Sequence, residues 1–399
     1  MKLLQINITA NRGSTGRIAE QIGRMAIVNG WESYIAYGRV AGLSDSKLIH
    51  VGGMWDEMWH GVQTRLFDRH GLASKRATRR LIVEIDRIRP DIIHLHNIHG
   101  YYLNYPILFE YLAKSEIPVV WTLHDCWAMT GHCAYFDAVG CDKWKIHCDR
   151  CPAKKNYPES MLLDNSFENF EKKKHYFNLP DNIIMIPVSY WLEGLLKNSF
   201  LKNQKIVTIH NGIDISNFKP FGRCVLSNIT VPIVLGVASV WEKRKGLDDF
   251  VSLSYHKDIK VVLVGIDDST EKRLPRNIIC VRKTANQREL AEYYSRADVF
   301  VNPTDEDNFP TVNIESLACG TPVVTYNTGG SPESLTKETG IVVPKGNVEG
   351  LYSAIKSIIG KSPAEKEEQR RLCVERAKEF DAKVRYQEYI HLYEKLLSR

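Results

Sequence analysis

Short apolar stretches alternate with segments whose apolar residues recur at helical spacing along most of the chain. Strands buried on both faces of a sheet read as continuous apolar runs, so the short stretches predict buried strands. The predicted strands are 2–8, 33–37, 92–96, 119–123, 183–188, 206–210, 233–237, 261–264, 278–281, 299–302 and 323–326. The predicted helices are 17–29, 81–88, 105–114, 247–254, 289–296, 312–318, 364–379 and 384–397.

Buried strands separated by helices indicate parallel sheets with helices on both faces, the α/β class. The chain has 399 residues, which suits two domains of ordinary size. We expect two facing, doubly wound Rossmann-like domains, at 1–188 and 189–379, with the ligand site in the cleft between them. Residues 380–399 are expected to form a closing helix that packs back toward the first domain.

Composition excludes several classes of protein. Apolar residues make up 44% of the chain and charged residues 25%, as in globular proteins. The net charge of +6 is shared evenly by the two halves, which argues against a nucleic-acid-binding module. The first residues read as a strand and not as a secretory signal, and no stretch is long enough for a membrane helix. We therefore expect a cytoplasmic protein with reduced cysteines.

An acidic loop follows the strand predicted at 299–302, and a helix is predicted to begin directly after Pro310. Free amides at a helix start carry partial positive charge and suit a phosphate. Asp307 and Glu315 are separated by seven residues and can reach different parts of one ligand, because carboxylate oxygens accept hydrogen bonds from sugar hydroxyls. The alternative interpretation is a capped helix with a solvated acidic loop.

The same stretch resembles the donor-site signature of the retaining family 4 glycosyltransferases, which have the GT-B fold. That signature is Glu, seven residues and Glu, followed by a helix of small residues and Gly-Thr-Pro-Val-Val. Here Asp307 takes the first position, Glu315 the second, and Gly320-Thr-Pro-Val-Val324 ends the segment. The Gly329-Gly330-Ser-Pro-Glu333 segment continues the resemblance, which extends over nearly the whole chain.

The resemblance implies roles for the residues of this loop. Glu315 would hold the ribose hydroxyls of a nucleoside diphosphate sugar, and the 189–379 domain would be the nucleotide-sugar-binding domain. The transferred sugar would contact Asp307, Asn308 and Phe309, and the diphosphate would face the backbone of Pro310, Thr311 and Val312.

A second segment, 236–246, supplies candidate cations for the diphosphate. The family usually has an arginine five residues before Lys-Gly, where this chain has Val240. We therefore assign the stabilisation of the leaving diphosphate to Arg244 and Lys245. Lys243 is expected to be solvated, and a basic helix start that faces water is the alternative for the whole segment.

The N-terminal domain is the acceptor side in this resemblance. Gly13 and Gly16 lie in a small-residue loop after the first strand, where glycine permits a close approach to a ligand. Gly16 would face the donor, whereas Gly13 and Arg17 would face the acceptor. His124 follows a buried strand and would lie near the donor sugar, although a structural histidine is the alternative. Among His94, His96 and His99, one is expected to line the acceptor side, and His99 is our candidate.

Four cysteines, Cys133, Cys141, Cys148 and Cys151, fall within a predicted insertion at 126–158. Cys148 and Cys151 have the spacing of a zinc knuckle, and four thiolates complete a tetrahedral structural zinc site. His132 and His147 are possible substitute ligands. Reduced packing cysteines and disulfides are the alternatives.

Eight basic residues against three acidic ones lie between Arg65 and Arg89. They form either a solvated helix face or a surface that docks on anionic lipid at the inner face of the membrane. The resemblance as a whole implies a retaining glycosyltransferase of surface polysaccharide synthesis that uses no catalytic metal. It would transfer a sugar from a nucleoside diphosphate sugar to a glycan or lipid-linked acceptor. A sugar-nucleotide epimerase and a non-catalytic sugar-nucleotide-binding protein are the alternatives.

Overall fold

A computed structural model describes residues 1–222 and 226–398 of the chain. The chain divides into two compact units. The N-terminal unit comprises Met1–His210 and Tyr386–Arg399, and the C-terminal unit comprises Asn211–Arg385. Arg399, the last residue of the segment predicted as a closing helix, lies outside the described residues, as do 223–225.

The N-terminal unit contains a seven-stranded parallel sheet in the order β3-β2-β1-β4-β5-β6-β7. Its central strands β4, β5 and β6 are buried at every position, as the continuous apolar runs predicted. The strands are β1 (Lys2–Ala10), β2 (Glu32–Ala41), β3 (Lys47–His50), β4 (Ile92–Leu95), β5 (Val119–Leu123), β6 (Ile183–Pro187) and β7 (Lys205–Ile206).

Six helices of this unit connect the strands. They are α1 (Gly13–Val28), α2 (Met54–Phe67), α3 (Lys75–Ile88), α4 (Tyr105–Leu112), α5 (Ser166–Tyr176) and α6 (Tyr190–Lys197). The first begins four residues before the predicted position, because Asn11 adopts a positive φ of 46° and turns the chain directly into the helix. Helices α2, α5 and α6 are not among the predicted helices.

The C-terminal unit contains a six-stranded parallel sheet in the order β10-β9-β8-β11-β12-β13. Its strands are β8 (Ile233–Val237), β9 (Lys260–Val264), β10 (Ile279–Val281), β11 (Val299–Asn302), β12 (Val323–Tyr326) and β13 (Gly340–Val343). Its helices are α7 (Leu247–Leu253), α8 (Asp268–Glu271), α9 (Gln287–Arg296), α10 (Thr311–Ala318), α11 (Val348–Ile359) and α12 (Pro363–Lys378), and α13 (Ala382–Leu397) follows them.

Each sheet reverses its strand order once, between β1 and β4 in the first and between β8 and β11 in the second. In an open parallel sheet, ligands bind outside the carboxyl ends of the strands at this reversal. The chain therefore presents two such edges, one in each unit. Both sheets agree with the doubly wound α/β fold that the sequence predicted.

The last helix contributes its residues from Tyr386 onward to the N-terminal unit. The Tyr393 hydroxyl lies 2.6 Å from Nδ1 of His94 on β4, and the Tyr389 hydroxyl lies 3.0 Å from Oγ1 of Thr122 on β5. His94 Nε2 and Thr122 Oγ1 are themselves 2.7 Å apart. All four side chains are buried, so these hydrogen bonds fix the helix against the sheet.

Within the described part of the chain, no helix combines the length and the apolar character that a membrane span requires.

Replacing Tyr393 by Phe tests how the last helix is held. The change leaves the buried His94 ring without this hydrogen bond, so the free energy of unfolding should fall by about 1–3 kcal/mol. Urea unfolding followed by circular dichroism measures the loss. Tyr255→Phe is the matched control, because Tyr255 is exposed and should leave the midpoint unchanged. Equal midpoints for Tyr393→Phe and the wild type would contradict this account of the helix.

Candidate functional site

The strand reversal of the C-terminal unit brings together two of the residues predicted for the donor site. Lys245 follows β8 and Asp307 follows β11, and Lys245 Nζ lies 2.8 Å from Asp307 Oδ2. Both side chains are about one-fifth exposed, so the ion pair is reachable by a ligand from solvent. A cation and a carboxylate thus stand side by side at the edge where such a sheet binds ligands.

The acidic loop is fastened to the segment that carries the cations. The backbone N–H of Asp305 donates to the carbonyl oxygen of Arg244 at 2.7 Å, and the Thr304 hydroxyl lies 3.1 Å from the same oxygen. Lys345 Nζ donates to the carbonyl oxygen of Asp305 at 2.9 Å. The loop that follows β11 therefore has a defined position relative to Arg244 and Lys245.

Two glycines allow this loop to pack closely against its neighbours. Gly246 has a φ of +69°, and a Cβ there would stand 2.3 Å from the carbonyl oxygen of Pro303. Gly329 has a φ of +54°, and its Cβ would stand 1.8 Å from the carbonyl oxygen of Asp307. Both positions need glycine because the backbone conformation and the space exclude a side chain.

The first turn of α10 faces the same edge. Pro310 precedes the helix in an extended conformation, and Thr311 and Val312 form its first residues. A buried network fixes the helix from behind, since Asn313 Nδ2 donates to Ser331 Oγ at 3.0 Å and Asn302 Nδ2 donates to Asn313 Oδ1 at 2.9 Å. Because the amides of a first turn have no partner within their own helix, this end is suited to an anion.

Glu315 lies one turn further along α10 and is held by a residue that the sequence did not suggest. The hydroxyl of Tyr294 on α9 donates to Glu315 Oε2 at 3.1 Å. Burial raises the pKa of Tyr294, so its hydroxyl remains protonated and remains a donor. The Glu315 side chain is partly exposed, and carboxylate oxygens accept hydrogen bonds from hydroxyl groups.

The remaining donor-side predictions lie on the same loop or beside it. Asn308 and Phe309 are buried, and the Phe309 ring packs 5.6 Å from that of Phe380. Arg244 Nε donates to Glu242 Oε2 at 2.9 Å, and its Nη1 donates to the carbonyl oxygen of Glu306 at 3.3 Å.

The position where the family usually has an arginine is exposed in this chain. The Val240 side chain is 59% exposed, so it replaces the usual arginine without joining the core. Lys243 is also exposed, as expected for a solvated residue.

In the N-terminal unit, Gly13 and Gly16 were predicted to lie in a loop, but both lie in the first turn of α1, which follows β1 at the strand reversal. A Cβ on Gly16 would stand 2.5 Å from Thr9 Oγ1, and the N–H of Asn11 donates to the carbonyl oxygen of Gly16 at 3.0 Å. Gly13 has a φ of +67° and open space around it. Arg17 is exposed, and its Nε donates to the carbonyl oxygen of Gly13 at 3.0 Å.

A chain of hydrogen bonds leads from the sheet to His124 after β5. Gln5 Nε2 donates to the carbonyl oxygen of Ala19, so its Oε1 accepts from His96 Nε2 at 3.0 Å. His96 Nδ1 then lies 3.1 Å from His124 Nε2. Burial lowers the pKa of His96 and lowers that of His124 to about 4, so both rings are neutral at pH 7.

The neutral state fixes which nitrogen of His124 carries the proton. Because His96 donates through Nε2 to Gln5, its Nδ1 accepts and His124 Nε2 donates. His124 Nδ1 is then an acceptor, suited to a hydroxyl group and not to a phosphate oxygen.

His99, the candidate for the acceptor side, is bonded through both ring nitrogens. Its Nε2 lies 2.8 Å from Asp125 Oδ2, and its Nδ1 lies 3.1 Å from the Tyr157 hydroxyl. The His99 side chain is buried, so within this unit it orients Asp125 and Tyr157.

The structure does not confirm the predicted zinc site. Cys133, Cys141, Cys148 and Cys151 line one small cavity together with His132. Over residues 1–222 and 226–398, however, no three or more His, Cys, Asp or Glu side chains are placed to hold a metal ion. The eight described cysteines are free thiols, and Cys224 lies outside the described residues. The cluster thus agrees with reduced packing cysteines.

Hydrogen bonds hold the cysteine-rich insertion in place. The N–H of Gly131 donates to Cys148 Sγ at 3.2 Å, and His132 Nδ1 lies 2.6 Å from Asp68 Oδ1. The buried Lys173 donates from Nζ to the carbonyl oxygens of Trp127 at 2.7 Å and Thr130 at 2.9 Å. Burial lowers the pKa of Lys173 to about 7.

Sequence reasoning missed Tyr294, Asn313 and Lys345. Tyr294 and Lys345 are distant in sequence from their partners, and no spacing rule links them. Asn313 gave a usable signal, because a polar residue in a helix of small and apolar residues must find hydrogen-bond partners when it is buried.

Comparisons with known proteins agree with this geometry. Residues 58–217 match the family model described as "Glycosyltransferase Family 4", and residues 231–361 match the model described as "Glycosyl transferases group 1". Together the two matches cover most of the chain.

Two curated relatives are glycosyltransferases by name. The chain is 24% identical to WcaC of Escherichia coli (strain K12), provisionally assigned as a colanic acid biosynthesis glycosyl transferase, over 99% of this chain and 100% of that protein. It is 28% identical to the GDP-mannose-dependent alpha-mannosyltransferase of Mycobacterium tuberculosis (strain CDC 1551 / Oshkosh) over 44% of this chain and 47% of that protein.

Solved structures share the fold. Sucrose-phosphate synthase from Thermosynechococcus elongatus superposes with a TM-score of 0.75 at 19% identity, covering 100% of this chain and 99% of that one. Anabaena Alr3699/HepE, solved in complex with UDP and glucose, superposes with a TM-score of 0.68 at 14% identity over 99% of both chains. The two parallel α/β units are those of the GT-B fold. The chain belongs to the family 4 glycosyltransferases and is a glycosyl-transferring enzyme.

Proposed function

We propose that this enzyme transfers a sugar from a nucleoside diphosphate sugar to a hydroxyl group of a glycan or lipid-linked acceptor, with retention of anomeric configuration. The observation that carries the proposal is the Lys245–Asp307 pair beside the first turn of α10. This edge offers positive charge for a diphosphate and carboxylates for sugar hydroxyls. WcaC, which matches along its full length, supports a place in the synthesis of surface polysaccharide.

The donor would be bound by parts of the C-terminal unit with distinct chemistry. The amides of Thr311 and Val312 would face the diphosphate, and Glu315, held by Tyr294, would accept hydrogen bonds from the ribose hydroxyls. Asp307 and the Asn308–Phe309 backbone would contact the transferred sugar. The HepE structures with UDP and with UDP-glucose support a donor of this class.

Breaking the bond between sugar and diphosphate leaves negative charge on the departing phosphate. Lys245 would stabilise that charge, and Arg244 would fix the loop through the Glu306 carbonyl while adding positive charge nearby. Asp307 orients Lys245 before the donor arrives, because their ion pair already exists. In this mechanism the departing phosphate accepts the proton of the acceptor hydroxyl on the same face of the sugar, which gives retention.

In the N-terminal unit, we assign His124 to a sugar hydroxyl. The hydrogen-bond chain from Gln5 through His96 leaves His124 Nδ1 as an acceptor, and its low pKa keeps it neutral. Gly13, Gly16 and Arg17, at the start of α1, are assigned to contact with the ligand at this unit's own sheet edge.

A donor panel tests the proposed reaction. The enzyme is incubated with UDP- and GDP-linked sugars and a panel of alkyl glycoside acceptors, and products are followed by proton NMR. We expect release of nucleoside diphosphate that depends on the acceptor, and a product whose anomeric coupling matches that of the donor. An inverted product would contradict retention. Free sugar released without an acceptor would instead identify an epimerase.

Replacing Asp307 by Asn tests the ion pair. Because Asn keeps the shape of the side chain but removes its charge, kcat should fall about 100-fold or more, as for other preorganised charges. The Kd for nucleoside diphosphate, measured by calorimetry, should change less than about threefold, since the helix amides and Glu315 remain.

Lys243→Gln is the matched control, because Lys243 lies in the same turn as Lys245 but is exposed. It should leave kcat and Kd unchanged. Wild-type turnover by Asp307→Asn would overturn the role assigned to Asp307.

A further inference from the structure

Helix α2 has its polar residues on the buried side and its apolar residues on the exposed side. His60 and Thr64 are fully buried, whereas Trp55 is 75% exposed and Trp59 is 59% exposed. Met54, Met58 and Val62 are exposed on the same side, at the spacing of one helix face. A helix that packs its apolar face into a core shows the opposite arrangement.

The buried residues explain how this arrangement is stable. His60 Nδ1 lies 2.8 Å from Ser74 Oγ, and its Nε2 accepts from the N–H of Gly71 at 2.9 Å. Thr64 Oγ1 lies 3.2 Å from His70 Nδ1. Hydrogen bonds of the buried polar residues thus fix α2 against the rest of the unit, and its exposed apolar side chains take no part in these contacts.

A second segment extends the apolar surface. The N–H of Met161 donates to the carbonyl oxygen of Arg65 at 2.6 Å, and the N–H of Leu163 donates to that of Leu66 at 3.2 Å. The side chains of this segment are exposed beside the end of α2. We call the combined surface the α2 face, formed by Met54, Trp55, Met58, Trp59, Val62, Met161, Leu162 and Leu163.

Basic residues flank the α2 face. Arg65 and Arg69 follow it along the chain, and α3 begins with the exposed Lys75, Arg76, Arg79 and Arg80. Arg80 lies 3.9 Å from Asp56, which places the start of α3 beside α2. The two acidic residues of α2, Asp56 and Glu57, are paired with Arg80 and Arg39, so the flank is net positive.

The combination of exposed apolar residues and a basic flank indicates one kind of partner. Neighbouring exposed apolar side chains that are rimmed by polar residues mark an interaction site. Tryptophan prefers the headgroup level of a lipid bilayer, and flanking arginine and lysine side chains reach lipid phosphates. We propose that the α2 face docks this protein on an anionic lipid surface, with Trp55 and Trp59 among the headgroups. The basic flank, predicted from sequence as the docking element, then attracts the protein to the anionic lipid, and the apolar side chains of the α2 face insert among the headgroups.

The proposal does not rest on the donor assignment, so it is tested without turnover. Purified protein is sedimented with vesicles of phosphatidylcholine and phosphatidylglycerol at a ratio of about 2:1, and with phosphatidylcholine alone. We expect clear binding to the anionic vesicles and weaker binding to the neutral ones. Raising the salt from about 0.1 M to about 1 M should reduce binding without abolishing it, since screening leaves the apolar contribution.

Variants separate the two contributions. Trp55→Ser/Trp59→Ser should lower the partition onto anionic vesicles about tenfold or more. Arg76→Gln/Arg79→Gln should weaken binding and flatten its salt dependence. Leu43→Ser/Tyr255→Ser removes two exposed apolar side chains from elsewhere on the surface and should bind as the wild type does. Thermal melting is compared for each variant, and Trp55→Ser alone carries the test if the double variant melts lower.

Two results would overturn the proposal. One is sedimentation with anionic vesicles that is unchanged by Trp55→Ser/Trp59→Ser. The other is a wild-type protein that binds neither kind of vesicle. Such a protein is then measured by light scattering, where a dimer mass that Trp55→Ser/Trp59→Ser converts to a monomer mass would identify the occupant. In that case the α2 face joins two copies of this chain.

Discussion

Neighbouring parallel strands end at the same edge of their sheet, and the candidate donor site depends on this constraint. It brings Lys245 and Asp307, 62 positions apart in sequence, within 2.8 Å of each other. The strand order reverses at the same place, which leaves room for a ligand between the loops. Everything assigned to donor binding in the C-terminal unit lies on a loop that leaves this edge or on the first two turns of α10.

Close packing and buried hydrogen bonds then hold those loops still. Gly246 and Gly329 let the acidic loop approach its neighbours more closely than any side chain would allow. Asn313 ties α10 to the loop that follows β12, and Tyr294 orients Glu315 from α9. A site held in this way stabilises charge at little reorganisation cost, which is how preorganised dipoles accelerate reactions. The side chain of Asp307 is one methylene shorter than the glutamate usual in the family. It is compatible with such a site, since its carboxylate pairs with Lys245.

The two sheets were predictable because their strands are continuous apolar runs. The predicted and observed bounds agree closely for β4, β5, β8, β11 and β12. The sequence predicted the donor loop because a strand, an acidic loop and a proline before a helix occur in order. Helix α2 was missed although Met54, Trp55, Met58, Trp59 and Val62 recur at helical spacing. That spacing would have placed the wrong face in the core, because the helix buries His60 and Thr64 and exposes its apolar residues. The Tyr294–Glu315 and Tyr393–His94 hydrogen bonds could not be predicted from the sequence either, because each joins distant parts of the chain.

The most direct test of this account is a crystal structure of the enzyme with a nucleoside diphosphate sugar. The account predicts the diphosphate against the amides of Thr311 and Val312 with Lys245 within hydrogen-bond distance, and the ribose hydroxyls on Glu315. A nucleotide bound elsewhere in the C-terminal unit, with the Lys245–Asp307 pair untouched, would contradict it.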